Sequence, residues 1–164
     1  MASILANIPF TGATVYPGLV AGTTTTVSTT GAIDYAIKSK GYRASTVTNG
    51  ATPTTDYQTA AAFTGVLRNK GCVFLLGFDN AQALKCVQGT IVDLDSTGAF
   101  KVAPQFGAIP DNFCPIGYLI IKAGSTANNT TGWIFGTSNM SGVTGITYTF
   151  VSCMMGIPDR PQIA

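Results

Sequence analysis

The chain predicts an all-β fold: an antiparallel β-sandwich or barrel of about eight strands, at most one short helix, and an extended N-terminal arm. Three observations carry this. Of 164 residues, 24 are Thr and 19 are Gly, a composition that favours strands and turns over helices. Short apolar runs alternate with turn signals: Asn49-Gly50, Asp79-Asn80-Ala81-Gln82, Ser96-Thr97-Gly98 and Pro110-Asp111. The stretch 71–123 strings such runs together as a β-meander.

The chain divides into an arm, residues 1–22, and a domain, residues 23–164. The arm mixes Ile, Leu, Phe, Pro and Gly without a period of 2 or 3.6, and Pro9 and Pro17 interrupt any regular element. It is nevertheless too apolar for a solvated tail. Ile4, Leu5, Ile8, Phe10, Val15, Tyr16 and Leu19 need cover, and no charged side chain accompanies them. The expectation is a docking arm on a neighbouring protomer or another protein, with Ile4, Leu5, Ile8, Phe10, Tyr16 and Leu19 as contacts. The other reading is an arm packed along its own domain.

Residues 23–30 are a Thr-rich strand or edge, and residues 32–47 a hairpin turning at Ser39-Lys40-Gly41. Residues 55–69 are the helix candidate. Thr55 suits a cap, Ala60, Ala61 and Ala62 favour helix, Tyr57, Ala61, Phe63 and Leu67 share a face, and Lys70-Gly71 ends it. Gly65 speaks against it. Residues 72–78 and 83–92 form the central hairpin. Closing it over residues 79–82 sets Phe78 opposite Ala83 and Leu75 opposite Cys86, with Cys72 and Cys86 on opposite faces. The hairpin is apolar on both faces, so both must be covered, by a second sheet and by a further element such as a helix or a neighbouring subunit. Residues 116–121 share that character. Trp133-Ile134-Phe135 reads as a short strand, and Ile146, Tyr148 and Phe150 alternate with Thr147 and Thr149 in the last one. The tail from Gly156, with Pro158 and Pro161, cannot enter a sheet interior.

Charge narrows the function classes. Only 10% of residues are charged and the net charge is +2, against about a quarter charged in ordinary soluble domains. The scattered Lys and Arg do not form the basic stripe of a nucleic-acid binder. No apolar run is long enough to span a bilayer, and the first residues lack a secretory pattern, so synthesis and folding in a cytosol are expected. So few charges imply a surface of Thr, Ser, Asn and Gly, or surface hidden against other chains in an oligomer. The four cysteines, at 72, 86, 114 and 153, lack a CxxC spacing and any His, so free buried thiols are expected rather than a metal site.

Candidate chemistry is sparse. The chain has no His and no Glu, leaving Asp, Lys, Tyr and Cys for acid–base work. Asp93 and Asp95 share one face of a strand, but Ca²⁺ wants six or more oxygens, and a strand end running into a turn is the better reading. Cys114, next to Pro115, has no His partner. Glycosylation sequons occur at Asn128, Asn129 and Asn139 and matter only on a secretory route. No catalytic residue, cofactor or metal is expected.

The segments GCVFLLGFDNAQALKCVQG, FKVAPQFGAIPDNFCPIGYLIIKAG and ITYTFVSCMMGIPDRPQ, in that order and spacing, resemble small structural proteins encoded among the head genes of tailed bacteriophages, which are similar to capsid decoration (cement) proteins. The likeness covers roughly residues 46–161. It implies a β-rich, commonly trimeric domain, located on the capsid surface of the virion after synthesis in the host cytoplasm. It implies the major capsid protein and other copies of the chain as partners, no nucleic acid or membrane, and no catalytic residues. The alternative is a tail-fibre or head-fibre domain that binds a receptor carbohydrate, for which Tyr42, Tyr57 and Trp133 are the aromatic candidates. An envelope hydrolase is a third class, disfavoured by the missing His and Glu.

Overall fold

The computed structural model describes residues 9–163. Ten strands follow one another among them: β1 (Gly12–Ala13), β2 (Val20–Ala21), β3 (Val27–Ser28), β4 (Ile33–Ile37), β5 (Lys40–Ala44), β6 (Lys70–Asp79), β7 (Leu84–Gln88), β8 (Val92–Asp93), β9 (Phe113–Ala123) and β10 (Ile146–Ser152). Every pairing is antiparallel, and no helix occurs among the described residues. The large sheet has the order β10-β9-β6-β7, with β8 continuing alongside β6. A smaller sheet, β1-β4-β5, and the ribbon β2-β3 complete an open sandwich rather than a closed barrel.

The two-sided strands are covered twice. Cys72, Phe74, Leu76 and Phe78 of β6 join Leu119 and Ile121 of β9, and pack against Ile33, Tyr35 and Ile37 of β4 and the loop aromatics Phe63, Trp133 and Phe135. Val73, Leu75, Tyr118 and Ile120 face the other way, under Tyr57, Phe100, Phe106, Ile157 and Ile163. That second cover is irregular chain, not a helix. Pro158 and Pro161 keep the tail out of the sheet, and Gln162 N–H donates to the buried Tyr118 hydroxyl at 2.8 Å, holding the tail across the face.

A β-bulge makes both cores compatible with one β9. Leu76 pairs with Gly117 and Gly77 with Pro115, leaving Ile116 as the extra residue. One added residue reverses the alternation of faces. Cys114 before the bulge and Ile116 in it therefore share a face with Leu119 and Ile121 after it.

Three expectations are corrected. Residues 55–69 are not a helix. The Asp56 carboxylate instead organises a loop, accepting from Gln58 N (2.9 Å) and Thr59 N (2.8 Å) with Oδ1 and from Gln88 N (2.6 Å) with Oδ2. Thr55 bridges to Ala62, and a Cβ on Gly65 would stand 2.0 Å from the Thr131 carbonyl oxygen, so tertiary contact overrides helix propensity. Trp133-Ile134-Phe135 is not a strand either. Val66 and Trp133 make an isolated bridge, and the indole is buried, donating to Asn139 O at 2.8 Å.

The central hairpin pairs as expected but one residue out of the expected register: Phe78 opposes Leu84 and Leu76 opposes Cys86. The Asp79 carboxylate accepts from Ala81 N and Ala83 N, both at 2.9 Å, which draws Ala83 into the loop. Cys72 and Cys86 consequently share a face. They stay apart because the four-residue offset between Cys72 and Leu76 separates them by roughly 13 Å along the strand.

All four cysteines are buried free thiols. Burial pushes Cys72 and Cys114 up to about 12 and raises Cys86 and Cys153 as well. Unfolding restores ordinary thiols that ionise near 9.0. Above that pH the unfolded state has lost protons that the native state keeps, so stability should fall as pH rises from about 9 towards 12. Thermal melts across that range check the slope. Thiol titration should find four reactive groups after denaturation without reductant, and slow reaction before it.

Candidate functional site

The described surface carries its apolar residues unevenly. Residues 1–33 and 123–158 contain no charged side chain, since Asp34, Lys122 and Asp159 bound them. The fold brings parts of these two runs together. Met155 N donates to Ala13 O at 2.8 Å and Leu19 N to Ser152 Oγ at 2.8 Å, so the loop 14–19 lies beside the end of β10. Eight large hydrophobic residues are well exposed, and six belong to these two segments: Val15, Tyr16, Val20, Tyr148, Met154 and Met155. No residue of the two runs belongs to any of the four ion pairs among the described residues, Lys38–Asp111, Arg43–Asp34, Lys70–Asp93 and Lys85–Asp79; the nearest is Arg43–Asp34, since Asp34 O accepts from Thr14 N at 2.8 Å.

The two most exposed of the six are Tyr16 at 63% and Met155 at 62%. Met155 has φ 65°, although Gly156 stands next to it. That left-handed geometry costs a non-glycine residue roughly 1–2 kcal/mol. A methionine held out into solvent at that cost, with its backbone bonded to Ala13 three residues before the exposed Tyr16, suits a contact surface, where adaptable Met and aromatic anchors concentrate.

The expected docking residues separate into three groups. Ile4, Leu5 and Ile8 lie outside the described residues. Phe10 and Leu19 serve their own domain. Phe10 exchanges hydrogen bonds with Ser39 and its ring lies over Gly12, while Leu19 is buried in the core. Tyr16 is the one that stands free. From residue 9 onward the arm lies on its own domain, contributing β1 to the small sheet and β2 to the ribbon. Val20, Met154 and Met155 escaped the sequence reading. The charge-free runs 1–33 and 123–158 were the signal that marks them.

The aromatic candidates for a sugar platform are engaged internally. Trp133 is buried. Tyr42 stacks on Tyr35 at 5.4 Å, with Lys40 Nζ 5.5 Å from its ring centroid. Tyr57 has Lys85 Nζ 5.2 Å from its centroid, and its hydroxyl accepts from Asn112 Nδ2 at 2.6 Å.

A cleft of about 690 Å³ is lined by Arg68, Lys70, Asp93, Asp95 and Lys101 among others. Its carboxylates have local duties. Asp93 pairs with Lys70 at 2.7 Å, and that hydrogen bond holds its carboxyl below the ordinary range. Asp95 is also lowered, by the Thr97 hydroxyl at 2.7 Å and by the backbone N–H groups of the turn it caps. No group of three metal-ligating side chains occurs among the described residues. No helix there is long and apolar enough to cross a membrane.

No protein-family model matches the chain, and no match was found among curated proteins or solved structures.

Proposed function

We propose that the chain is a non-enzymatic structural protein of a phage particle, a decoration or cement protein that binds the outside of the head and stabilises its lattice. One observation supports this most: the uncharged, apolar face around Tyr16, Val20, Met154 and Met155, built from two chain segments without a charged side chain. Water disfavours such area by about 25 cal/mol per Å². Loss of charge at the centre of a patch is the compositional mark of an interface. The partner that fits is an apolar surface of a major capsid subunit, and the likeness of the central and final segments to head-gene products agrees with that partner. The carbohydrate-binding reading loses support because Trp133 is internal.

Purified chain mixed with empty, expanded head shells of the encoding phage tests this by co-sedimentation. The wild type should pellet with the shells. The double variant Y16D/M155D should bind about 10- to 100-fold more weakly, since desolvating a carboxylate in an apolar contact opposes docking. V102D, which charges an exposed apolar residue off the face, should bind as the wild type does. Absence of wild-type binding, or equal binding by the double variant, would contradict the proposal.

A further inference from the structure

We infer that a second copy of the chain pairs on the free edge of β10, joining two five-stranded sheets into one across a two-fold axis at Thr149.

Part of the β10 backbone is already engaged by β9. Cys153 N donates to Ile116 O at 2.9 Å. Hydrogen bonding alternates along an antiparallel pair, so Thr147, Thr149 and Val151 aim their backbone groups at β9. Those of Tyr148 and Phe150 point the other way. The open run is short and bounded. Ile146 N is taken by Val143 O at 3.2 Å, and the Ser152 hydroxyl by Leu19 N.

The opposite edge of the sheet is covered. Tyr57 N donates to Cys86 O at 2.8 Å, and Gln88 N to the Asp56 carboxylate at 2.6 Å. β10 carries none of the usual protections: no charge, no proline, no register shift. Thr147, Tyr148 and Thr149 are exposed along it.

The strand also complements itself. Two copies antiparallel about Thr149 set Tyr148 against the second copy's Phe150, and Phe150 against its Tyr148. The outward N–H and C=O groups of these residues then form four backbone hydrogen bonds. Tyr148 and Phe150 already lie edge to face at 6.1 Å in one copy, so pairing assembles four rings around the two-fold axis. No charge opposes a like charge. Because the other edge is covered, addition stops at two copies instead of growing into a filament.

Sedimentation velocity of the full chain at about 1 to 100 µM, a range in which a specific dimer persists, should give twice the 16.9 kDa chain mass. In Tyr148→Pro the lost N–H faces away from β9, so the fold should remain while the mass falls to one chain. Tyr148→Lys should do the same by charging the edge. Thr149→Pro removes a ladder donor to β9 and should unfold the sheet, which verifies the phase of the hydrogen bonds. Hydrogen exchange on the wild type needs no variant: the Tyr148 and Phe150 amides should be protected at high concentration and lose protection on dilution. A wild-type monomer throughout, a three-fold mass, a folded Tyr148→Pro or Tyr148→Lys variant of unchanged mass, or amides unprotected at every concentration would each overturn the inference.

Discussion

Replacing Phe74 by alanine is expected to lower stability by about 3–5 kcal/mol. The ring is fully buried at the centre of the larger core. It stacks on Phe135 at 5.2 Å and meets Phe63 and Trp133 edge-on at 5.9 and 5.7 Å. Phe63, Trp133 and Phe135 come from loops, so they cannot collapse into the cavity without breaking the Val66–Trp133 bridge. A domain stable by about 5–15 kcal/mol would lose a large part of its margin. Urea unfolding should show the midpoint falling at an unchanged slope. Phe74→Leu, which leaves a smaller void, should cost clearly less. A loss below about 1 kcal/mol for the alanine variant would mean that the aromatic cluster is not packed as described.

Replacing Asp56 by alanine is expected to cost about 3 kcal/mol, because it removes the acceptor of four partly buried hydrogen bonds at once. The carboxylate is almost fully buried and accepts from three backbone N–H groups and the Thr59 hydroxyl. It holds the loop that lies over β7, so its loss also uncovers the second edge of the large sheet. Asp56→Ala should therefore melt earlier and, unlike the wild type, aggregate on concentration through that edge. Asp56→Asn keeps one acceptor oxygen and should fall between the two. Calorimetry and light scattering separate the effects on stability and on association.

Much of the fold was legible because it rests on local pattern. The alternation in residues 33–37 and 146–150 and the two-sided run 72–78 reappear as strands, and the turn signals at 96–98 and 110–111 lie outside the strands. What the pattern could not show was set by distant contacts. The helix-like run 55–69 was decided by the Asp56 bond to Gln88, thirty-two positions away in the chain. The hairpin register depended on one side chain, Asp79, drawing Ala83 into the loop. The bulge at Ile116 assigns residues to faces that strict alternation would have reversed. The candidate face was half legible. Tyr16 could be read as apolar and unaccompanied by charge, but its convergence with Met154 and Met155 depends on the bond between Met155 and Ala13.

Docking through the uncharged face requires that face to be covered in the assembled particle, and oxidative footprinting reads this residue by residue. In the free chain, Tyr16, Met154 and Met155 should oxidise readily, and buried Met140, 1% exposed, should not. On the particle, Tyr16, Met154 and Met155 should become strongly protected, because an interface core excludes water. Exposed Val102 and Ile109 should keep their free-chain reactivity. Unchanged oxidation of Tyr16, Met154 and Met155 on particles that carry the protein would show that attachment uses another surface.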